Sequence, residues 1–214
     1  MRKNLPETLR GLYAILDESV IVRGNPREAA RSLLSSGVRV IQYRAKTAEA
    51  GYMLEAASTI NEECHEHGAL FIVNDRADVA MLSGAAGVHV GQEDLPPAAC
   101  RKVMGEDAVV GVSTHSRKEI EAAVTDGADY IGYGPVFGTS TKENPLEPRG
   151  IEALADVVSS VDIPVVAIGG INVENIGNVR KAGAAGAAVI SALASKSCLE
   201  EGAKALVEAW EKAG

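Results

Sequence analysis

Aromatic side chains are scarce in this 214-residue chain, at 4% of residues. A core without them must be filled by Val, Ile, Leu and Ala. That argues against an aromatic-rich sandwich and for buried parallel strands under small-residue helices. Cysteine is also sparse. Cys64, Cys100 and Cys198 are odd in number, far apart and form no CxxC pair, so they build no disulfide framework and fit a reducing compartment. No run approaches the roughly 20 apolar residues of a membrane span. The opening MRKNLPETLRGLYAIL has too short an apolar segment for a signal peptide and runs into Asp17 and Glu18. A cytoplasmic protein with no membrane partner is expected. Positive charge is short as well: 21 Lys and Arg stand against 29 Asp and Glu, a formal net charge of −8. Such a chain repels polyanions, which argues against nucleic acid, and an anionic small ligand would require its cations gathered in one place. There is no GK dipeptide, so no Walker loop.

What the chain does have is a repeating alternation. Short apolar, β-branched runs predict strands at 12–16, 38–44, 69–74, 87–91, 108–113, 130–134, 164–169 and 187–191. Between them lie segments with apolar residues three and four apart, such as REAARSLLSSG and RKEIEAAVTDG, several closed by glycine. Eight β–α units with short connections and no linker predict the α/β class and a (β/α)8 TIM barrel, one domain over residues 1–214. A doubly wound open sheet would want a Gly-rich turn after its first strand, and LDESVIVRGNP supplies none. In a barrel, chemistry belongs at the C-terminal ends of the strands.

Polar residues collect at those ends. In IQYRAK, alternation sets Gln42, Arg44 and Lys46 on one face and Ile41, Tyr43 and Ala45 on the other, so two cations and an amide converge as a grip for a multiply charged anion. The third strand ends in Asn74 and Asp75, and the loop after the fourth carries Asp94. Each carboxylate has helix capping as its ordinary alternative. Beside an Arg–Lys anion site, however, the pair suits Mg²⁺, which bridges one or two carboxylates to phosphate oxygens. Ser113 tips the fifth strand, and Ser116 reads as a helix cap. After the sixth strand, Thr139, Ser140, Thr141 and Lys142 offer donors to a phosphate. IGGIN and VISAL, with Gly170 and Ser191, suit the phosphate site often formed by the last two loops of a barrel. Two anion sites are therefore expected. His89 is placed to point into the barrel, His115 near Ser113, and Trp210 reads as packing.

Taken together, QYRAK, VNDRADVA, GVHVGQEDLP, GVSTHS, GPVFGTSTK, AIGGI and VISA resemble the thiamine-phosphate synthase family, in order and over about residues 12–195. The resemblance implies a barrel enzyme, a transferase. It joins 4-amino-5-hydroxymethyl-2-methylpyrimidine diphosphate to a carboxylated methylthiazole ethyl phosphate, giving thiamine phosphate, diphosphate and CO₂. It assigns Gln42, Tyr43, Arg44, Ala45, Lys46, Asn74, Ser113 and Lys142 to the pyrimidine diphosphate, with Arg44, Lys46, Ser113 and Lys142 catalytic. Thr139, Ser140, Thr141, Gly170, Ile190 and Ser191 go to the thiazole phosphate, and Asp75 and Asp94 to Mg²⁺. The alternative within the same barrel family is a thiazole tautomerase, which needs neither diphosphate nor metal. Its partners would be small phosphorylated molecules; oligomeric state is left open.

Overall fold

A computed structural model of the chain describes residues 5–21, 25–139, 146–195 and 198–214. Helix α1 (Leu5–Thr8) leads into strand β1 (Gly11–Asp17), and α2 (Glu18–Ile21) and α3 (Pro26–Ser35) into β2 (Val40–Arg44). Then come α4 (Ala50–Glu66) and β3 (Leu70–Asn74), α5 (Ala77–Leu82) and β4 (Gly87–Val90), and α6 (Pro97–Met104) and β5 (Val109–Thr114). The second half continues with α7 (Arg117–Thr125) and β6 (Tyr130–Tyr133), α8 (Gly150–Ser160) and β7 (Val165–Ile168), and α9 (Ile176–Lys181) and β8 (Gly186–Val189). A 3-10 turn (Ser191–Ser195) and α10 (Leu199–Glu211) finish the chain. Every predicted strand is present, with ends that differ by two residues at most.

The strands pair in parallel in chain order, and β8 returns to β1 with Gly11 opposite Gly186, closing the barrel. Closure leaves no sheet edge. Alternation then sorts side chains into two cores. Tyr13, Ile15, Val40, Leu70, Ile72, Val109, Tyr130 and Val166 fill the inside, while Ile41, Tyr43, Phe71, Val73, Val88 and Val110 meet the helices outside. Local signals start and stop the helices. Asn25 caps α3 by accepting from the Arg27 amide at 2.9 Å, with Pro26 at the first helical position. Ser116 caps α7 as expected, accepting from Glu119 at 3.3 Å.

The two ends of the barrel differ. Leu5, which opens α1, and Leu9, just after it, are buried in the inner cluster and plug the end where the strands begin. At the other end the inner positions become polar, with Asp17, Gln42, Arg44, Asn74, His89 and Ser113. An apolar plug at one end and a polar mouth at the other is the arrangement expected of a barrel that works at its C-terminal face.

Candidate active site

The mouth opens into a cavity of about 570 Å³ lined from every strand end, including Gln42, Arg44, Lys46, Asn74, Asp75, Asp94 and Ser113. Its cations are already positioned by acids. Arg44 pairs with Asp17, its partner in register across β1 and β2. Lys46 Nζ lies 2.6 Å from Asp75 Oδ2. Glu18, the next residue along from Asp17, accepts from the amides of Lys46 and Thr47 at 2.8 and 2.9 Å and from the Thr47 hydroxyl at 3.0 Å. Burial would raise the Glu18 carboxyl, but the hydrogen bonds from Thr47 and Lys46 outweigh it and hold the group below the usual carboxylate range. The charge needed for an anion grip is thus local, in a chain that is acidic overall.

The capping alternatives for the two carboxylates do not hold. The N-cap of α5 is Arg76 and that of α6 is Pro96, and neither makes a side-chain cap bond. Asp75 sits at φ 63°, a left-handed conformation unusual outside glycine. Its amide donates to the His89 carbonyl at 2.8 Å, and its side chain lines the cavity. Asp94, which also lines the cavity, accepts from the Gly91 amide at 2.7 Å, which pins its loop. Two hard oxygen donors beside cations fit Mg²⁺ held partly by a ligand's phosphates. Among the described residues there is no cluster of three His, Cys, Asp or Glu that would cage an ion by itself.

Below the cations runs a line of polar side chains that sequence reasoning found only in part. Gln42 Nε2 donates to the Tyr13 hydroxyl at 2.8 Å, and the Tyr13 and Tyr130 hydroxyls are 2.8 Å apart. Tyr130 meets His89 Nδ1 at 3.0 Å, and His89 Nε2 meets the Ser113 hydroxyl at 2.9 Å. Burial pushes the Tyr13 phenol up to about 12 and Tyr130 well above the ordinary tyrosine value, so both keep their protons. Strand alternation alone places His89 inside the barrel but does not mark Tyr13 and Tyr130. The legible signal for them is glycine. A Cβ at Gly111 would come within 2.1 Å of Tyr130 Cζ and 2.5 Å of His89 Nδ1, so the strand leaves that space empty for them.

On the far side, Thr139, Gly170, Ile190 and Ser191 line the same cavity. A Cβ on Gly170, at φ 64°, would meet the Gly138 carbonyl at 2.3 Å, so the seventh loop can lie against the sixth only as glycine. Ser140, Thr141 and Lys142 lie outside the described residues. Tyr43 and Ala45 pack toward the helices, and neither lines the cavity, because they alternate with Gln42, Arg44 and Lys46. Only their main chain remains to serve a ligand. His115 lines the cavity as well, with Nδ1 3.1 Å from Glu119. Trp210 is buried on α10 under the Arg180 guanidinium, a packing role as expected.

Fold and site together define a (β/α)8 barrel protein with a small-molecule-sized, cation-bearing cavity at its C-terminal mouth. The sequence model of the family described as thiamine monophosphate synthase matches residues 12–193. A thiamine-phosphate synthase from Chlorobium phaeovibrioides is 44% identical over 201 residues, covering 94% of each chain. One from Anaeromyxobacter dehalogenans is 43% identical over 203 residues, 95% of this chain and 89% of that one. Among solved structures, the thiamine phosphate pyrophosphorylase from Pyrococcus furiosus superposes with a TM-score of 0.88 at 37% identity, covering 98% of this chain and 99% of that one. The chain belongs to the thiamine monophosphate synthase family, and its activity is that of a thiamine-phosphate synthase, a transferase of thiamine biosynthesis. These relatives lend no support to the tautomerase alternative. No helix among the described residues is long and apolar enough to cross a membrane.

Proposed function

We propose that the two substrates meet across this one cavity, in a reducing cytoplasmic setting. Pyrimidine diphosphate lies over β2 to β5, and thiazole phosphate lies in the loops after β6 to β8. The carrying observation is convergence: Arg44, Lys46, Asn74, Asp75, Asp94 and Ser113 face the same space as Thr139, Gly170, Ile190 and Ser191. The bond that breaks joins the pyrimidine methylene carbon to the diphosphate oxygen, whose electron pair leaves with diphosphate. The electron-rich aminopyrimidine carries the positive charge left behind. The thiazole nitrogen then forms the new C–N bond; the carboxylated ring carbon releases CO₂, keeps the electron pair of the broken bond and takes up a proton from solvent. Arg44 and Lys46, joined by Lys142 on the strength of its sequence motif, meet charge that grows as the bond breaks, so they favour the transition state over the bound substrate. Asp75 and Asp94 would hold Mg²⁺, which when present supplies further positive charge to the leaving group. Lys46 is expected to move from Asp75 to the diphosphate, leaving the carboxylate for the ion.

The test is to mix both precursors with the protein, with and without Mg²⁺, and follow thiamine phosphate and diphosphate. Equal amounts of the two products, abolished by chelation and restored by Mg²⁺, are expected. Isomerisation of the thiazole with no diphosphate released would defeat the reading. Asp75→Asn and Asp94→Asn should each raise the Mg²⁺ concentration needed for half-maximal rate.

A further inference from the structure

The line of hydrogen bonds across the cavity floor has consequences beyond its two ends. Gln42 and Ser113 come from β2 and β5, on different sides of the barrel, and they are joined through Tyr13, Tyr130 and His89, which carry no role in the reading above. Tyr13 and Tyr130 are fully buried and His89 nearly so. Buried hydroxyls are costly unless bonded. Gly111 and, more gently, Gly132 (Cβ to His89 Cε1 3.2 Å) keep the room they need. Apolar side chains would fill this layer at less cost, so the polar line answers to a ligand rather than to stability.

Proton counting restricts the line. Its four links need one proton each, and each tyrosine and the neutral imidazole has one to give. With Gln42 Nε2 donating to Tyr13, as the structure places it, Tyr13 must donate to Tyr130 and Tyr130 to His89 Nδ1. His89 then carries its proton on Nε2 and donates to Ser113. Any other order with this amide orientation strands a buried hydroxyl proton. What faces the cavity is therefore Gln42 Oε1, an acceptor, and the Ser113 hydroxyl proton, a donor. Turning the amide over reverses every link and exchanges both roles at once.

We propose that Tyr13, Tyr130 and His89 are positioning residues that lock the polarity of Gln42 and Ser113 together, so that the floor offers a bound ring an acceptor on the β2 side and a donor on the β5 side. This rests on the proposed placement of the pyrimidine over β2 to β5. A 4-aminopyrimidine has an amino N–H to give to Gln42 and unprotonated ring nitrogens to receive; a 4-oxopyrimidine puts an acceptor where that amino donor stood and protonates a ring nitrogen. The locked line is matched to the first and mismatched to the second.

Tyr130→Phe cuts the line in the middle while keeping the ring in its space. The Tyr13 proton then loses its acceptor and draws in the Gln42 carbonyl, which turns the amide the wrong way for an aminopyrimidine. Kinetics with the 4-amino and 4-oxo pyrimidine diphosphates should show the preference for the amino compound falling about tenfold, the effect of one mis-set buried hydrogen bond. KM for the thiazole phosphate should stay within about twofold, which a general loosening of the barrel would not allow. Tyr13→Phe, which cuts the next link, should give the same split and carries the test if Tyr130→Phe does not fold. Unchanged preference in the cut variants, or a parallel rise in thiazole KM, overturns the inference and leaves the proposed function standing. A wild-type protein that releases no diphosphate overturns both.

Discussion

Glu18 does not line the cavity, yet it holds the two backbone amides that set where Lys46 stands. Replacing it with Ala removes three acceptor contacts and leaves the loop between β2 and α4 free to drift. We expect kcat/KM for the pyrimidine diphosphate to fall by about tenfold, with CD spectra unchanged. Glu18→Gln, which keeps an acceptor oxygen, should recover most of the loss. If the Ala variant keeps full activity, the loop does not depend on this anchor. At this scale the sequence was informative about the end groups and silent about their supports. Arg44, Lys46, Asp75 and Asp94 stand out because charge at a strand end is conspicuous. Glu18 reads as an ordinary surface acid until the fold brings Lys46 and Thr47 to it.

Among the elements, α3 and α4 are clamped by Glu63, whose side chain is fully buried and bonded to Arg27 and, at 2.7 Å, to Arg31. Burial alone would raise this carboxyl, but the Arg31 and Arg27 hydrogen bonds more than reverse it, so it titrates below the ordinary carboxylate range. A folded pKa below the unfolded one means the clamp is fully present above about pH 4.3 and is lost as pH falls through the lower, folded value. Thermal melts should therefore show Glu63→Gln lowering Tm by about 2–4 °C near neutrality. The difference from wild type should shrink at acid pH. A gap that stays constant across that range would count against the linkage. The helix pair was legible from three- and four-residue spacing, since periodicity reports which face is buried. The clamp was not, because Arg27 and Glu63 lie 36 residues apart and spacing carries no information at that range.

The molecule as a whole separates stability from chemistry along the barrel axis. Leu9 packs in the plug at one end, and both substrates are assigned to the other. Leu9→Ala should cost about 2–5 kcal/mol in denaturant unfolding, the range for truncating a buried leucine, while leaving both KM values unchanged. Movement of either KM would show the two ends to be coupled. Eight alternating units, their order and the polar strand ends were all determined by the sequence alone, because apolar periodicity and glycine stops are local properties of the chain. Closure of β8 onto β1, the turning of Tyr43 and Ala45 away from the cavity, and the Gln42–Tyr13–Tyr130–His89–Ser113 line were decided only by the tertiary structure. Each of those depends on which strands a closed barrel brings face to face across its interior, and that juxtaposition is written in no single stretch of sequence.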